Sequence, residues 1–408
     1  MIVNIFPKLS ETFILNQIKG LIQNGHQVDI YAASKDTANN LSIQDTVKEY
    51  NLMDHVYYFP DHSDHSALKI FKLIIATVTR GYKTPGAVLW LLTHGSSSLA
   101  KGRRFQGYMS TPFIGKKHYD IIHFQFGNLP LALLQLRYFP VIRGPWIVSF
   151  RGYDLTLYPH LLGEDMYKEM FKIVDTVLPV SENFKARLIE LGCDEQKIHV
   201  HRSAIDLNLF HFREEPPMQN GIVEIFTHGR LFPKKGLEYA IRAVSRIIEE
   251  GRSIRYSIIG NGPLKESLLQ LIRDLDREDQ IELTDGVPHD QIIERLRTSH
   301  IFLCPSVKAE DGDEEGIPNT LKEAMAVGLP VVATFHSGIP ELVEDGVSGF
   351  LVQERDDLAL ADKIRALVDS PETRIEMGRQ GRRKIEEAYA IEKWNSELSR
   401  VYHESLES

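Results

Sequence analysis

Apolar residues follow two rhythms along this chain. Short continuous runs (MIVNIFP, HQVDIYAA, DIIHFQFG, PWIVSF and VDTVLPV in the first half) alternate with stretches whose apolar positions recur at helical spacing. Phe13, Ile14, Ile18, Leu21 and Ile22 mark one such helix, closed by Gly25. Ser181 stands as the N-cap of another, which ends at Gly192. The second half repeats the alternation with VEIFTHG, RYSIIG, IELTDG and HIFLCPS, and an amphipathic helix from Leu237 to Ile248 follows the first of these. Strand–helix–strand units of this kind build doubly wound sheets, which bind ligands at the carboxyl ends of their strands. The charged, proline-containing segment HFREEPPMQNG, 211–221, reads as a linker. It separates residues 1–210 from a second domain over 222–385, and the charged helical segment after Pro371 carries Trp394 and Tyr402 as apolar anchors.

The stretch Glu310–Thr334, EDGDEEGIPNTLKEAMAVGLPVVAT, reads as acidic loop, helix, tight stop and strand. Pro318 suits the first turn of a helix, where its missing N–H has no intrahelical partner. Leu321, Ala324 and Met325 fall at helical spacing, Gly328 can end the helix in a left-handed residue, and Pro330 prevents a restart. Free N–H groups from about Gly316 to Thr320 would point out of the helix start, where the dipole adds positive charge. Such an end binds phosphate. Glu315 lies just before it, and Glu323 stands roughly 8–10 Å further along at ~1.5 Å per residue. A diphosphate with a hydroxyl-rich ring on each side fits that spacing. So does a capped surface helix with two solvated glutamates, and the spacing alone does not separate the two.

Composition narrows the class. A chain of 408 residues is long for one core, and 43% hydrophobic with 25% charged residues is the balance of a globular protein. Cys193 and Cys304 lack metal-type spacing and read as buried thiols of a reducing compartment. There is no basic-then-apolar leader, and no apolar run approaches the ~20 residues of a membrane span, so a cytoplasmic protein is expected. The net charge of −9 is uneven: residues 1–219 sum to +2 and the remainder to −11. Between Asp64 and Asp120 there is no acid but nine bases, among them Lys72, Arg80, Lys83, Lys116 and Lys117, interleaved with Phe71, Ile74, Ile75 and Trp90. That mixture suits the anionic face of a membrane, touched peripherally, or two ordinary amphipathic helices with solvated lysines. No recognition motif for nucleic acid is present.

Glu315 and Glu323 with seven residues between them, inside EGIPNTLKEAMAVGLPVVAT, resemble the E-x7-E motif of family 4 glycosyltransferases. The resemblance continues through IFTHGRLFPKKG, IIGNGPLKESL, GVPHDQI, IFLCPS and SGIPELVEDGVSGFLV, most of the second half in order. The opening FPKLSETFILNQI is similar to the subgroup that assembles exopolysaccharides of the colanic-acid and amylovoran type. The resemblance implies an α/β, GT-B fold: two doubly wound Rossmann-like domains facing across a cleft, with the last segment, 386–408, crossing back to the first. It also implies retaining transfer of a sugar from a UDP- or GDP-sugar donor. Arg230 and Lys235 would hold the donor diphosphate, Glu315 the sugar and Glu323 the ribose, with Gly229, Gly260, Val287, Gly316, Ile317, Asn319 and Thr320 around them. The leaving phosphate itself would take the acceptor proton, and no metal is expected. Asp311–Gly312–Asp313 imitates a metal motif of another fold and is discounted.

On the acceptor side the chain departs from the family pattern. Ser10, Glu11 and Thr12 replace a glycine pair in the loop after the first strand, Gln125 replaces the second histidine of an H-x-H beginning at His123, and Ala204 replaces a glycine. An amide hydrogen-bonds a sugar hydroxyl but is no acid near neutral pH. Arg151, where relatives have histidine, is placed to hold an anion bidentately or to pair with Asp154. The expected activity is transfer of a hexose to a growing, lipid-linked oligosaccharide. A GT-B transferase using a small soluble acceptor and a non-catalytic nucleotide-binding protein are the alternatives.

Overall fold

A computed structural model of the chain describes residues 1–8, 11–35, 45–60, 66–94, 108–213, 216, 218 and 221–407. Ser10, basic positions 101, 103 and 104, and several linker positions lie outside the described residues.

The apolar runs become two parallel six-stranded sheets. The first contains β1 (Ile2–Ile5), β2 (Ile30–Ser34), β3 (Val56–Tyr58), β4 (Ile122–Phe124), β5 (Trp146–Phe150) and β6 (Thr176–Pro179), in the order β3-β2-β1-β4-β5-β6. The second contains β7 (Val223–His228), β8 (Ile254–Ile259), β9 (Ile281–Thr284), β10 (Ile301–Cys304), β11 (Val331–Thr334) and β12 (Phe350–Val352), in the order β12-β11-β10-β7-β8-β9. Every residue of β5, β10 and β11 is buried, as strands covered by helices on both faces require. Strand order reverses beside β1 and β4 in one sheet and beside β7 and β10 in the other. At such points the connecting loops part and leave a crevice for ligands. This is the α/β, GT-B arrangement that the resemblance implies.

One face of the first sheet is covered by an aromatic core that includes Phe113, Phe139, Trp146, Phe150 and Tyr167. The other receives the helix Thr12–Gln23 and, from the far end of the chain, the helix Ile391–Glu407. Leu398, Val401 and Tyr402 of that helix form one cluster with Leu21, Ile147 and Leu178. Full burial of a leucine such as Leu398 stabilises by about 1.5–3 kcal/mol. The backbone crosses between the two halves twice, side by side: Ile205 N–H donates to Tyr389 O at 2.9 Å, and Ile391 N–H donates to Ile205 O at 3.1 Å.

Candidate active site

The chain leaves β7 at Gly229 and β8 at Gly260, and these loops touch. A Cβ on Gly260 would lie 1.8 Å from Gly229 O, so no side chain fits there. A Cβ on Gly229 would meet Lys235 Cε at 3.8 Å and Thr320 Cγ2 at 3.9 Å, which puts Lys235 and the start of the Asn319–Val327 helix on one small cleft. Its walls include His228, Arg230, Leu231 and Pro305. Arg230 is exposed, its guanidinium 5.1 Å from the Phe232 ring. Val287 is partly buried, two residues before the helix His289–Thr298.

The helix Asn319–Val327 starts after Pro318, which contributes no side-chain cap, and stops at Gly328 in the left-handed conformation. The first backbone bond into it runs from Lys322 N–H to Pro318 O at 3.3 Å. Among the described residues no acceptor meets the N–H groups of Asn319, Thr320 or Leu321. Ile317 is buried beneath them, and Gly316 is pressed against the first domain: a Cβ there would stand 2.9 Å from Val180 Cγ2 and 3.2 Å from Arg151 O.

Each motif carboxylate carries its own cationic or imidazole partners. Glu315 Oε1 lies 3.1 Å from Lys235 Nζ and 3.5 Å from Lys234 Nζ, without the alignment of a hydrogen bond, and is otherwise buried. Burial alone would raise its pKa, but Lys235, Lys234 and Arg230 outweigh it and hold the carboxyl at about 2. Its backbone N–H donates to His336 Nε2 at 3.1 Å, and His336 Nδ1 meets Glu354 Oε1 at 2.7 Å. That chain of bonds fixes the loop and leaves the ring proton on Nδ1. Glu323 lies 3.2 Å from His228 Nε2 and 3.5 Å from His289 Nε2. Burial again works to raise its pKa, and the two imidazoles win and hold it well below the usual range. Glu323 Oε2 and His228 Nε2 are buried without a properly formed hydrogen bond. Buried groups left in this state are uncommon and call for a partner outside the chain's own hydrogen bonds, which a water or a ligand's polar atom can supply.

The first-domain candidates divide. His123 is buried between Tyr402 Oη at 2.7 Å and Ser149 Oγ at 2.8 Å, a satisfied core histidine. Gln125 is fully buried and holds Arg151: its Oε1 accepts from Nη2 at 2.6 Å and its backbone O from Nε at 3.1 Å. The Arg151 guanidinium also bonds Gln17 and covers the Phe13 ring at 4.5 Å. Desolvation lowers its pKa to about 10, with Asp154 opposing. Asp154 is not paired with that guanidinium. Its carboxylate accepts the N–H groups of Gly127, Arg151 and Gly152 at 2.8, 3.0 and 2.8 Å. Glu11 is buried with Oε1 2.6 Å from Lys8 Nζ and Oε2 unpartnered, and Thr12 opens the helix behind it.

Several residues in and around this site escaped the sequence reading. Lys234 is buried and holds Asp313 at 3.0 Å as well as Glu315, so one acid of the Asp311–Asp313 pair is engaged by a lysine. His228 and His289 stand inside the matched segments IFTHGRLFPKKG and GVPHDQI, but no spacing in the sequence shows that both meet Glu323. Across the cleft, Glu341 accepts the N–H groups of Glu182 and Asn183 at 3.1 and 3.0 Å, at the start of the first-domain helix Glu182–Glu190, and Arg202 at 3.0 Å. Thr156 accepts from Glu314 N–H at 3.2 Å, and Lys322 Nζ donates to Ser203 O at 2.7 Å. These bonds clamp the acidic loop and the helix start against the first domain.

Two family models match the chain: Glycosyltransferase Family 4 over residues 10–209 and Glycosyl transferases group 1 over residues 211–384. The chain is 36% identical over 402 residues to a protein of Escherichia coli strain K12 named as colanic acid biosynthesis glycosyltransferase WcaL, covering 97% of this chain and 96% of that one. It is also 36% identical over 365 residues to the amylovoran biosynthesis glycosyltransferase AmsK of Erwinia amylovora, covering 87% of each. Among solved structures, Anabaena Alr3699/HepE in complex with UDP superposes with a TM-score of 0.70 at 15% identity over 99% of both chains. Sucrose-phosphate synthase of Thermosynechococcus elongatus does so with a TM-score of 0.68 at 15% identity, over 99% of this chain and 98% of that one. Both likenesses are of fold.

Proposed function

This chain belongs to the family 4 glycosyltransferases, and from that premise we propose that it moves a hexose from a nucleoside diphosphate sugar, with retention, to a growing lipid-linked oligosaccharide of a bacterial surface polysaccharide. The observation that carries the donor half is the row of N–H groups of Asn319, Thr320 and Leu321, without acceptors and standing between Glu315 and Glu323. A diphosphate laid there meets the helix dipole and the cations Lys235 and Arg230. As the bond from the anomeric carbon to the phosphate oxygen breaks, negative charge grows on the diphosphate, and preorganised positive groups stabilise that state more than the ground state. These cations supply the neutralisation without a metal. Glu323, oriented by His228 and His289, accepts the ribose hydroxyls. Glu315, kept ionised by two lysines, accepts hydroxyls of the transferred sugar and faces the positive charge that develops at its ring. The acceptor oxygen bonds the anomeric carbon on the face the phosphate leaves, and its proton passes to the departing phosphate oxygen. That route calls for no protein base, in keeping with His123 and Gln125 being tied up in the core.

The acceptor half rests on the relatives named for colanic acid and amylovoran biosynthesis. A neighbour in fold solved with UDP-glucose supports a UDP-sugar as the first donor to try. A thermal-shift panel of UDP-, GDP- and ADP-sugars tests the donor site. One nucleotide sugar should raise the midpoint by mass action. Glu323→Gln should weaken that ligand roughly 10- to 100-fold, the worth of hydrogen bonds to a charged group. A panel in which no nucleotide shifts the wild-type midpoint would remove the donor site.

A further inference from the structure

The helix Ser66–Arg80 is apolar on two sides. Its inner side is used: Ala76 is buried and Leu73 packs on the aromatic core of the first sheet. Its outer side carries Leu68, Phe71, Ile75 and Val78 at successive helical turns, exposed by 40, 58, 45 and 74%, with Ile74 beside them at 54%. Tyr82, 75% exposed, continues the ridge past the helix. A contiguous run of large apolar side chains facing water marks an interaction surface. Lys72, Arg80, Lys83 and Lys117 are exposed in the same sequence interval, which contains no acid from residue 65 to 119.

We propose that this ridge lies flat on an anionic lipid bilayer, the apolar side chains entering the acyl boundary and the cations meeting the headgroups. The proposal takes its purpose from the lipid-linked acceptor reading and its evidence from the ridge itself. Charge selects the occupant. Two copies meeting through this face would pair the same patch with itself and set like charges against each other. A basic surface built for nucleic acid would not spend its crest on Phe71, Ile75 and Val78. Among the described residues no helix is long and apolar enough to cross a membrane, so the attachment is one of depth, not of span.

Flotation of the full chain with phosphatidylcholine vesicles, alone or mixed with phosphatidylglycerol, tests this. The wild type should float with the mixed vesicles and at least about tenfold less with the neutral ones. Phe71→Glu combined with Val78→Glu should lower flotation about tenfold or more. Both positions are exposed, so its thermal midpoint and its response to nucleotide sugar should match the wild type. Equal flotation of variant and wild type, no preference for anionic lipid, or loss of a dimer in place of loss of flotation would each overturn the proposal. A wild type that floats but answers no nucleotide sugar would instead sink the donor reading and leave this surface standing.

Discussion

At the scale of single residues, the site is built from charges held out of water. Glu315 sits against Lys234 and Lys235 with its pKa drawn to about 2, so the folded protein prefers the carboxylate more than the unfolded chain does. A depressed carboxyl contributes stability that is full above the ordinary value near 4.5 and is lost as pH falls toward about 2. Glu315→Gln should therefore cost on the order of 2–4 kcal/mol at pH 7 in urea unfolding, and its gap from the wild type should narrow below pH 4.5. A gap that stays constant from pH 7 to 3 would show that Glu315 is not held ionised by those lysines. The sequence displayed Glu315, Glu323, Arg230 and Lys235, because family spacing marks them. It did not display Lys234 or the imidazoles of His228 and His289. Which of two adjacent lysines turns inward, and which histidines meet over a carboxylate, depends on how separate loops pack.

At the scale of elements, the helix Asn319–Val327 has two tasks. Its start offers free N–H groups to a ligand, and its first full turn reaches across to the other half. Lys322 is completely buried, donates to Ser203 O, and has its pKa lowered to about 7, first by desolvation, with Glu323 opposing. The unfolded chain thus binds more protons at this residue between pH 7 and the ordinary 10.5, and stability should rise with pH in that interval by up to about 1.4 kcal/mol per unit. Urea midpoints of the wild type at pH 7 and 7.8 measure it, below the ordinary range of thiols and phenols. Lys322→Met should flatten the rise to the part that the buried Met1 amine contributes, its own pKa lowered to about 5 by desolvation, and an unchanged slope would count against the assignment. Element positions were legible where apolar rhythm was strong: Gly328 stops its helix and Ser181 caps its own, bonding Phe184 N–H at 3.1 Å. What Gln125 and Arg151 do was not legible. Two residues just past the ends of neighbouring strands, 26 positions apart in sequence, bond each other in the core, and no local pattern announces that pairing.

At the scale of the whole molecule, the two sheets are joined by paired crossings and by the reach of Glu341, whose carboxylate takes the first N–H groups of a helix in the opposite half. The first sheet also depends on a helix from the far end of the sequence. Leu398→Ala should cost about 2–5 kcal/mol of first-domain stability, read by urea or calorimetry. It should leave nucleotide-sugar affinity within about twofold, since the cleft lies on other elements. A neutral Leu398→Ala would mean that helix is only laid on the surface. The alternation of strands and helices disclosed both sheets except their three-residue edge strands β3 and β12, too short to show a rhythm, whereas the attachment of the last helix rested on resemblance. Trp394 and Tyr402 announced an apolar face without saying what it covers.

That borrowed helix inverts the order of assembly. Residues 223–352 can pair their strands as soon as they have left the ribosome, but Ile147 and Leu178, translated earlier, wait uncovered until residues 391–407 have followed. The half made first is thus the half completed last. A released chain truncated just short of residue 391 would carry a protease-resistant second domain behind a first one still open to attack.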